Sequence, residues 1–318
     1  MTRYLVTGGA GFIGSHLVEM LLTHKETKAV KVLDNLSTGN LDNLASVLTD
    51  ITFINGDLTE IDQVHQATKD VDIIFHLAAQ VSVPLSVSDP ITTNQANTIG
   101  TLNLLETARA NGVKRIVLSS TCAIYGDEQT LPKQEQMAAL PQSPYAVSKL
   151  AAEGYCFNYM AYHDIEAVVL RYFNVYGPRQ SPSSSYAGVI SLFIDRLQTG
   201  RPVTIFGDGG QSRDFVYVSD VVQANFMAAH SEKAPGHIFN IGTEKPTTIS
   251  ALYSMIAQTL GVNQPPTFAE PRPGDVYHSY ADTNLAGNHL AWEASVPLSE
   301  GLAYTIEALN QTKLSIPK

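Results

Sequence analysis

Short apolar runs alternate with helix-like segments through the first half of the chain. The runs are RYLVTG, AVKVLDN, ITFINGD, DIIFHLA, RIVLSS and EAVVLRYFN. Several are almost continuous in Val, Ile and Leu, which is typical of parallel strands that are buried on both faces and joined by crossover helices. The pattern therefore predicts an α/β fold with a doubly wound, Rossmann-type parallel sheet.

The pattern changes in the second half of the chain. Three polar stretches rich in glycine or proline appear there, GPRQSPSSSYAG, GDGGQSRDF and QPPTFAEPRPGD. Such stretches are typical of loops that carry binding residues. We expect residues 1–175 to form the sheet domain, with further strands returning from the second half, and residues 176–318 to form mainly a smaller substrate-binding lobe.

Composition limits the classes of protein to consider. The 318 residues are 44% hydrophobic and 16% charged, which indicates a globular chain with a large core. The net charge of -10 argues against nucleic-acid and anionic-membrane partners. Two cysteines are too few for a disulfide framework, and the sequence has neither a signal-peptide pattern nor an apolar run of ~18 residues. We therefore expect a cytoplasmic protein.

The stretch TGGAGFIGSHL joins the first predicted strand to the first helix. Gly9, Gly11 and Gly14 have the spacing that allows a tight turn and lets a pyrophosphate approach the helix N-terminus, and Gly8 gives a second variant of that spacing. Asp34 ends the second strand about 20 residues after Gly14, where a carboxylate accepts hydrogen bonds from a ribose diol and repels a 2′-phosphate. The sequence therefore predicts NAD over NADP.

The stretch SPYAVSKLAAE contains a tyrosine and a lysine, Tyr145 and Lys149, just inside a predicted helix start. Ser143 suits the N-cap and Pro144 suits the first helical position. Residues i and i+4 share one helix face, so the phenol and the ammonium can point into the same space. A Tyr-x-x-x-Lys pair also occurs by chance on many surface helices. Taken alone, the pair leaves both interpretations open.

Five features occur in this order along the chain: TGGAGFIG, Asp34, HLAA, SSTCAIYG and YAVSK. On these features the chain resembles the extended short-chain dehydrogenases/reductases over nearly its whole length. A narrower resemblance rests on three later motifs, LRYFNVYGPRQ, GDGGQSRDFVYVSD and RPGDVYHSYAD. Within that superfamily the chain is most similar to UDP-sugar 4-epimerases, including those for UDP-glucose and UDP-N-acetylglucosamine. The resemblance implies NAD-dependent inversion of C4 of a UDP-hexose through a 4-keto intermediate, without a metal. It also implies a homodimer that pairs helices near residues 97–111 and 147–163.

The resemblance assigns roles to three catalytic residues. Tyr145 would take the proton from the sugar 4-hydroxyl, Lys149 would hold the nicotinamide ribose, and Thr121 would hydrogen-bond the 4-hydroxyl. A free phenol has a pKa of ~10, so service as a base near neutrality requires a pKa lower by roughly 3. A positive charge about 4 Å away is worth ~4 kcal/mol at an effective dielectric constant of 20. We therefore expect Lys149, together with the cationic nicotinamide, to lower the pKa of Tyr145.

The resemblance also implies the residues that bind the two ligands. On the cofactor side they are Gly8, Gly11, Phe12, Ile13, Gly14, Asp34, Asn35, Ser37, Gly39, Asp57, Leu58, Leu77, Ala78, Ala79, Asn97, Ser119, Tyr145, Lys149 and Tyr172. On the substrate side they are Thr121, Tyr145, Asn174, Val189, Thr204, Phe206, Arg213, Arg272, Asp275 and Ser279. Asp57 would meet the adenine amino group, unless it is an ordinary turn aspartate. Arg213 and Arg272 would clamp the diphosphate, since guanidinium groups bind phosphate oxygens bidentately, unless they form surface ion pairs.

Cys122 and Ala123 directly follow Thr121. Related 4,6-dehydratases carry Asp-Glu at these positions, and UDP-glucuronate decarboxylases keep a glutamate at the second. Without those groups the oxidised intermediate has nothing local to eliminate or decarboxylate it, so we expect epimerisation, and we expect Cys122 to be a small buried residue and not a nucleophile. A UDP-glucuronate 4-epimerase, another NAD-dependent sugar-nucleotide-modifying enzyme, an oxidoreductase that releases NADH and a non-catalytic NAD-binding regulator remain alternatives.

Ser279 occupies the position that resemblance links to sugar selectivity. In epimerases restricted to UDP-glucose and UDP-galactose, a bulky residue, often tyrosine, closes the space beside the C2 substituent. Asp275 and Asp282 are the anchors that place this position at Ser279. Serine leaves room for an N-acetyl group, so we expect UDP-N-acetylglucosamine and UDP-N-acetylgalactosamine to be preferred and UDP-glucose to be handled less well.

We predict that replacing Asp34 by Ser and Asn35 by Arg relaxes the choice of NAD over NADP. The change removes the repulsion of a 2′-phosphate and adds a partner for it. We expect the ratio of NADP to NAD affinity to rise by about tenfold or more, which corresponds to ~1.4 kcal/mol. Titration of both dinucleotides into both proteins measures this ratio, and preference of the unmodified protein for NADP would contradict the role of Asp34.

Overall fold

The structure is a computed structural model that describes residues 1–181, 188–271 and 276–314. Its strands are β1 (Thr2–Thr7), β2 (Thr27–Asp34), β3 (Thr52–Asn55), β4 (Ile73–His76), β5 (Arg115–Thr121), β6 (Glu166–Tyr172), β7 (Asn174–Tyr176), β8 (Thr204–Phe206), β9 (Ser212–Tyr217), β10 (Ile238–Ile241), β11 (Pro246–Thr248), β12 (Thr267–Ala269) and β13 (His278–Ser279). Its α-helices are α1 (Phe12–Thr23), α2 (Ile61–Thr68), α3 (Val83–Ser88), α4 (Pro90–Asn94), α5 (Gly100–Ala110), α6 (Pro144–Tyr162), α7 (Val189–Gln198), α8 (Val218–His230), α9 (Ile249–Leu260), α10 (Asn284–Leu290) and α11 (Leu298–Leu314).

The main sheet has seven strands within these ranges, in the order β10-β6-β5-β4-β1-β2-β3. Each neighbouring pair in it is parallel. The six apolar runs of the first half are β1 to β6, so the predicted strands are confirmed. The chain winds outward in both directions from β1 and β4, and ligands of such sheets bind at the carboxyl ends of the strands where the winding reverses.

Alternate residues of the central strands point into two separate cores. Val6 and Val32 belong to the core beneath α1 and α8, whereas Leu5 and Leu33 belong to the core beneath α2, α5 and α6. Successive side chains of a strand face opposite sides of a sheet, so near-continuous apolar strands require helices on both faces. The predicted doubly wound architecture is therefore confirmed.

The second half is more regular than its glycine and proline content suggested. Strand β9 begins inside the GDGGQSRDF stretch and pairs with β7, β11 and β13, and β8 pairs with β12. The stretch GDGGQSRDF, expected to be a loop, is therefore partly a strand, and the division of the chain at residue 175 stays a prediction. The last three residues of β9 are apolar and buried, and α8, α9 and α11 each bury an apolar face. None of the helices in the described ranges is long and apolar enough to cross a membrane.

Candidate active site

The turn between β1 and α1 has no room for side chains at two of its glycines. Gly8 has a φ of +71°, and a Cβ there would lie 2.7 Å from the Ala78 nitrogen. A Cβ on Gly14 would lie 2.2 Å from the Gly8 carbonyl oxygen. The turn therefore lies directly on the segment after β4. Phe12 and Ile13 form the first turn of α1, where amide groups lack partners inside the helix and attract anions.

Asp34 lies at the carboxyl end of β2, and its side chain is buried. One carboxylate oxygen accepts the Ala10 N–H at 3.0 Å and the other accepts the Leu36 N–H at 2.8 Å. Burial raises the pKa of Asp34, and these two hydrogen bonds oppose the shift. A Cβ on Gly39 would lie 2.9 Å from the carboxylate. The carboxylate can accept further hydrogen bonds besides those of the two amides. Its free acceptor positions, next to the close approach at Gly39, fit the ribose hydroxyls of NAD.

Asn35 and Asp57 form a small hydrogen-bond network beside Asp34. Asn35 donates to the Asp57 carboxylate at 2.7 Å and accepts the Ser37 N–H at 3.0 Å. Asp57 also accepts the Thr59 N–H and hydroxyl, both at 2.8 Å. Burial acts to raise the pKa of Asp57, but the hydrogen bonds from Thr59 and Asn35 outweigh it and lower the pKa. Asp57 is thus part of a turn, and its contact with adenine stays a prediction.

A buried chain of side chains lies beneath the glycine turn. His76 Nδ1 lies 2.8 Å from the Thr7 hydroxyl, and His76 Nε2 lies 2.9 Å from the Thr101 hydroxyl. Thr7 also fixes the next segment, since its backbone and hydroxyl accept the N–H groups of Leu77 and Ala78. Burial, with a smaller effect from the Lys149 charge, lowers the pKa of His76 to about 3. His76 is therefore neutral at physiological pH.

Asn97 lies in a π-helical turn, Gln95–Ile99, that precedes α5. Its amide oxygen accepts the Gln80 N–H at 2.7 Å, and its amide nitrogen donates to the Gln80 carbonyl and to the Ser148 hydroxyl, both at 2.9 Å. Both ends of the side chain are therefore engaged within the protein. Asn97 fixes the segment after β4 against α6, and a direct contact with NAD stays a prediction.

The first turn of α6 carries the tyrosine–lysine pair. As predicted, Ser143 caps this helix by accepting the Ala146 N–H at 3.2 Å, and Pro144 is the first helical residue. Lys149 is buried and donates to the Ser119 carbonyl at 2.8 Å. Thr121 lies at the end of β5, and its side chain acts to lower the pKa of the Tyr145 phenol. The structure thus brings the three predicted catalytic residues together between α6 and β5.

The expected lowering of the Tyr145 pKa counted the cationic nicotinamide together with Lys149, and it stays a prediction. Burial of the hydroxyl raises the pKa of Tyr145 to about 12, and the Thr121 side chain offsets only part of the shift. Burial also lowers the pKa of Lys149 to about 8, against the opposing effects of Cys156 and Glu153. In the protein alone, burial therefore disfavours the charged form of both groups.

A buried ion pair behind this site was not predicted. Arg171 donates to both oxygens of the Glu153 carboxylate, at 2.7 and 3.0 Å, and Ser120 donates to one of them at 2.5 Å. The Arg171 guanidinium also lies 4.9 Å from the ring centre of Tyr125. Two sequence signals could have identified the pair. Glu153 follows Lys149 by one helical turn, and Arg171 interrupts an apolar strand.

Tyr172 and Ser119 also lie in a buried hydrogen-bonded group. The Tyr172 hydroxyl lies 2.9 Å from the Ser119 hydroxyl and bonds to the amide of Asn225 on α8. Burial raises the pKa of Tyr172 to about 12. Asn225 is a further residue that was not predicted from the sequence. The group ties β5, β6 and α8 together at the carboxyl end of the sheet.

The predicted substrate residues lie on several elements of the second half. Asn174 is the first residue of β7 and Val189 the first of α7. Thr204 and Phe206 are the first and last residues of β8. Arg213 on β9 pairs with Ser279 on β13. The Arg213 guanidinium donates to the Ser212 and Tyr277 carbonyls at 2.9 and 3.2 Å. Arg272 and Asp275 lie outside the described residues.

Ser279 contacts the residue that follows Thr121. Burial raises the pKa of the Cys122 thiol to about 11, and the Ser279 side chain acts to lower it. Arg213 acts to lower that pKa and Asp214 acts to raise it. A thiol with this pKa stays protonated near neutrality, which agrees with a residue that is not a nucleophile, but Cys122 is half-buried and not buried as expected. The contact also places Ser279 beside the end of β5.

The sheet, the glycine turn and the tyrosine–lysine pair of α6 define an enzyme of the NAD-binding Rossmann class. Comparison with known proteins narrows that class. Residues 4–242 match the model of the NAD dependent epimerase/dehydratase family. The chain belongs to this family, and its resemblance to the UDP-sugar 4-epimerases, which are isomerases with NAD as cofactor, is confirmed by the relatives.

Three relatives show how far the similarity extends. A UDP-glucose 4-epimerase of Mycolicibacterium smegmatis is 41% identical over 309 residues, 96% of this chain and 97% of the relative. The crystal structure of a UDP-glucose 4-epimerase of Thermotoga maritima with UDP-glucose has a TM-score of 0.93 and 40% identity, and covers 98% of this chain and 99% of that one. The structure of a UDP-N-acetylglucosamine 4-epimerase of Methanobrevibacter ruminantium M1 with UDP-N-acetylmuramic acid has a TM-score of 0.92 and 37% identity, with the same coverage of 98% and 99%.

We predict that His76 makes the fold sensitive to acid. The ordinary pKa of about 6.5 applies to the unfolded chain and the pKa of about 3 to the folded one. The unfolded chain therefore binds the proton first, and stability falls as the pH drops below about 6.5, by up to ~1.4 kcal/mol per pH unit. Urea unfolding at pH 7 and pH 4.5 should show a smaller loss for His76→Asn than for the unmodified protein. Equal losses in both proteins would contradict the assignment.

Proposed function

We propose that the enzyme inverts C4 of a UDP-N-acetylhexosamine, and also of UDP-glucose and UDP-galactose, at the site between α6 and β5. The observation that carries the proposal is the placement of Tyr145 one helical turn before buried Lys149, whose ammonium donates to the Ser119 carbonyl of the strand that ends at Thr121. A phenol and a hydroxyl at such a site can pass a proton to and from a sugar hydroxyl. Cys122 and Ala123 supply no carboxyl group beside them, which favours epimerisation over elimination or decarboxylation.

The protein's own groups divide the proton chemistry. Tyr145 takes the proton of the 4-hydroxyl and returns it, while Thr121 hydrogen-bonds the same oxygen and orients it. Lys149, with a pKa of about 8, is mainly charged at neutral pH and holds the ribose hydroxyls. NAD, when bound, supplies a hydride acceptor at C4 and the positive charge of its oxidised ring. That charge accounts for phenol activation better than Lys149 alone, because burial opposes ionisation of Tyr145.

The remaining predicted residues define a path for the UDP group. Arg213 on β9 is proposed to bind the diphosphate, because a guanidinium matches two phosphate oxygens and offsets the acidity of the protein. Backbone at Val189 and along β8 from Thr204 to Phe206 is proposed to hold the uracil. Arg272 and Asp275 complete the predicted set from sequence resemblance.

The size of Ser279 supports the N-acetylated sugars over UDP-glucose as preferred substrates. Ser279 lies next to Arg213 in the β9–β13 pair and contacts Cys122, the neighbour of Thr121. A serine here leaves space that a tyrosine would fill. The solved relatives bind both kinds of sugar nucleotide, so resemblance alone leaves the sugar open, and UDP-glucuronate 4-epimerisation remains the alternative.

A homodimer through α5 and α6 is part of the proposal. Apolar residues on and just before these helices are exposed to solvent: Ile99, Val147, Tyr155 and Tyr162 are 42%, 53%, 38% and 76% exposed. Large apolar side chains exposed along one region of a surface are typical of protein–protein interfaces. Light scattering of the full chain tests the assembly.

We predict that Tyr145→Phe lowers kcat by about 10²–10⁴-fold, because it removes only the oxygen that carries the proton. Thr121→Val should lower kcat by about 10²–10³-fold if its hydroxyl assists the transfer. Both variants should keep their fold and their affinity for NAD. A coupled assay with UDP-N-acetylglucosamine measures kcat, and thermal unfolding and NAD titration check the rest.

Tyr304→Phe provides the matched control for this prediction. Tyr304 lies on α11, outside the proposed site and the proposed dimer surface, and is 45% exposed, so the same loss of a hydroxyl should leave kcat unchanged. Retention of more than about half of the activity in Tyr145→Phe would exclude the proposed proton transfer.

We predict that Ser279→Tyr removes activity on UDP-N-acetylglucosamine while sparing activity on UDP-glucose. The ring would fill the space beside the C2 substituent, and we expect the ratio of the two kcat/KM values to shift by about 10²-fold. Ser279→Ala leaves that space open and is the control, with an unchanged ratio. An unmodified enzyme that converts UDP-glucose but ignores UDP-N-acetylglucosamine would contradict the assignment of Ser279.

A further inference from the structure

Asp214 is a fully buried carboxylate that connects three segments of the substrate-binding half. It follows Arg213 in β9 and is 0% exposed. One oxygen accepts the N–H and the hydroxyl of Thr243, at 2.8 and 2.6 Å. The other accepts the N–H of Glu244 at 3.0 Å and that of Ala281 at 3.1 Å. These four donors use the acceptor positions of an ionised carboxylate, so the group needs no substrate to be satisfied.

The contact is tight as well as polar. A Cβ on Gly242 would lie 2.6 Å from the Asp214 carboxylate and 2.8 Å from the Ala281 Cβ. Residue 242 must therefore be a glycine for the segment after β10 and the segment after β13 to approach Asp214 together. Asp214, Gly242 and Ala281 form one packed unit.

This unit controls the geometry of two proposed substrate residues. Strand β13 pairs with β9 over only two residues, which places Ser279 beside Arg213. Such a short strand has few backbone hydrogen bonds to hold it. On its outer side the segment is bonded to Lys133, through the Tyr280 carbonyl and the Asp282 N–H. The Asp214–Ala281 bond therefore ties the segment to β9 two residues beyond Ser279.

We propose that Asp214 is a positioning residue that fixes Ser279 relative to Arg213, and thereby sets how the sugar fits when the diphosphate is held. The proposal rests on the substrate roles of Ser279 and Arg213 in the proposed function. Asp214 itself is assigned no contact with substrate or cofactor. Its removal should change substrate affinity and sugar selectivity more than the rate of the proton transfer at Tyr145.

Asp220 offers a matched control because it is a similar carboxylate in another place. It is 2% exposed, and it accepts the Ser295 hydroxyl at 2.7 Å and the Val296 N–H at 3.1 Å. These bonds hold the segment before α11, which carries none of the predicted substrate residues. Asp220→Asn should therefore lower stability without altering sugar selectivity.

The experiment compares Asp214→Asn, Gly242→Ala and Asp220→Asn with the unmodified enzyme. An asparagine at 214 must turn its NH₂ toward N–H donors, and the Gly242→Ala methyl displaces the same unit from the opposite side. We expect both changes to raise KM for UDP-N-acetylglucosamine by on the order of 10- to 100-fold, since small misplacements have effects of this size. The selectivity ratio between the two sugars should shift about tenfold, with NAD affinity unchanged.

The outcomes separate positioning from plain stability. Unchanged KM and selectivity in Asp214→Asn and Gly242→Ala, with melting temperatures lowered as in Asp220→Asn, would overturn the proposal. If Asp214→Asn does not fold, Gly242→Ala decides alone. Titration of UDP by calorimetry gives a readout besides activity. We expect the affinity for UDP to fall in Asp214→Asn and Gly242→Ala but not in Asp220→Asn. An unmodified enzyme that epimerises no UDP-sugar would instead refute the proposed function.

Discussion

The buried ion pair between Glu153 and Arg171 is the constraint on which the rest of the active site depends. It joins α6 to β6 and, through the hydroxyl of Ser120, to β5 as well. Lys149 lies one helical turn before Glu153, and Thr121 follows Ser120, so the same pair fixes both sides of the proposed catalytic group. Removing one partner of such a pair leaves an uncompensated buried charge and costs ~3–5 kcal/mol. The position of Tyr145 relative to Thr121 is therefore set by an interaction that itself takes no part in the chemistry.

Burial has opposite effects on the two functional groups of α6. It makes the Tyr145 phenol a weaker acid and the Lys149 ammonium a stronger one, because a desolvated site disfavours charge of either sign. Under the proposed function, the positive charge of oxidised NAD would favour ionisation of the phenol, which suits a reaction without net redox change.

The sequence predicted the parts of the molecule that follow local rules. Apolar runs identified β1 to β6, and the Ser143–Pro144 start of α6 was confirmed, because strand burial and helix capping depend on neighbouring residues. The second half was predicted less well, since β9 pairs with strands far away in the chain. The same limit explains why Glu153, Asn225 and Asp214 were missed: each acts through partners that only the fold brings near. The lowered pKa expected for Tyr145 beside Lys149 and the nicotinamide stays a prediction, because burial of the phenol depends on contacts that the i, i+4 spacing does not reveal.

The central claim is that the sugar loses and regains its C4 hydrogen within one enzyme complex. The most direct test is to supply UDP-N-acetylglucosamine with deuterium at C4 and follow the product by NMR while monitoring NADH. We expect UDP-N-acetylgalactosamine that keeps its deuterium at C4, with no accumulation of NADH. Loss of the label to solvent, or release of stoichiometric NADH without an inverted product, would contradict the account.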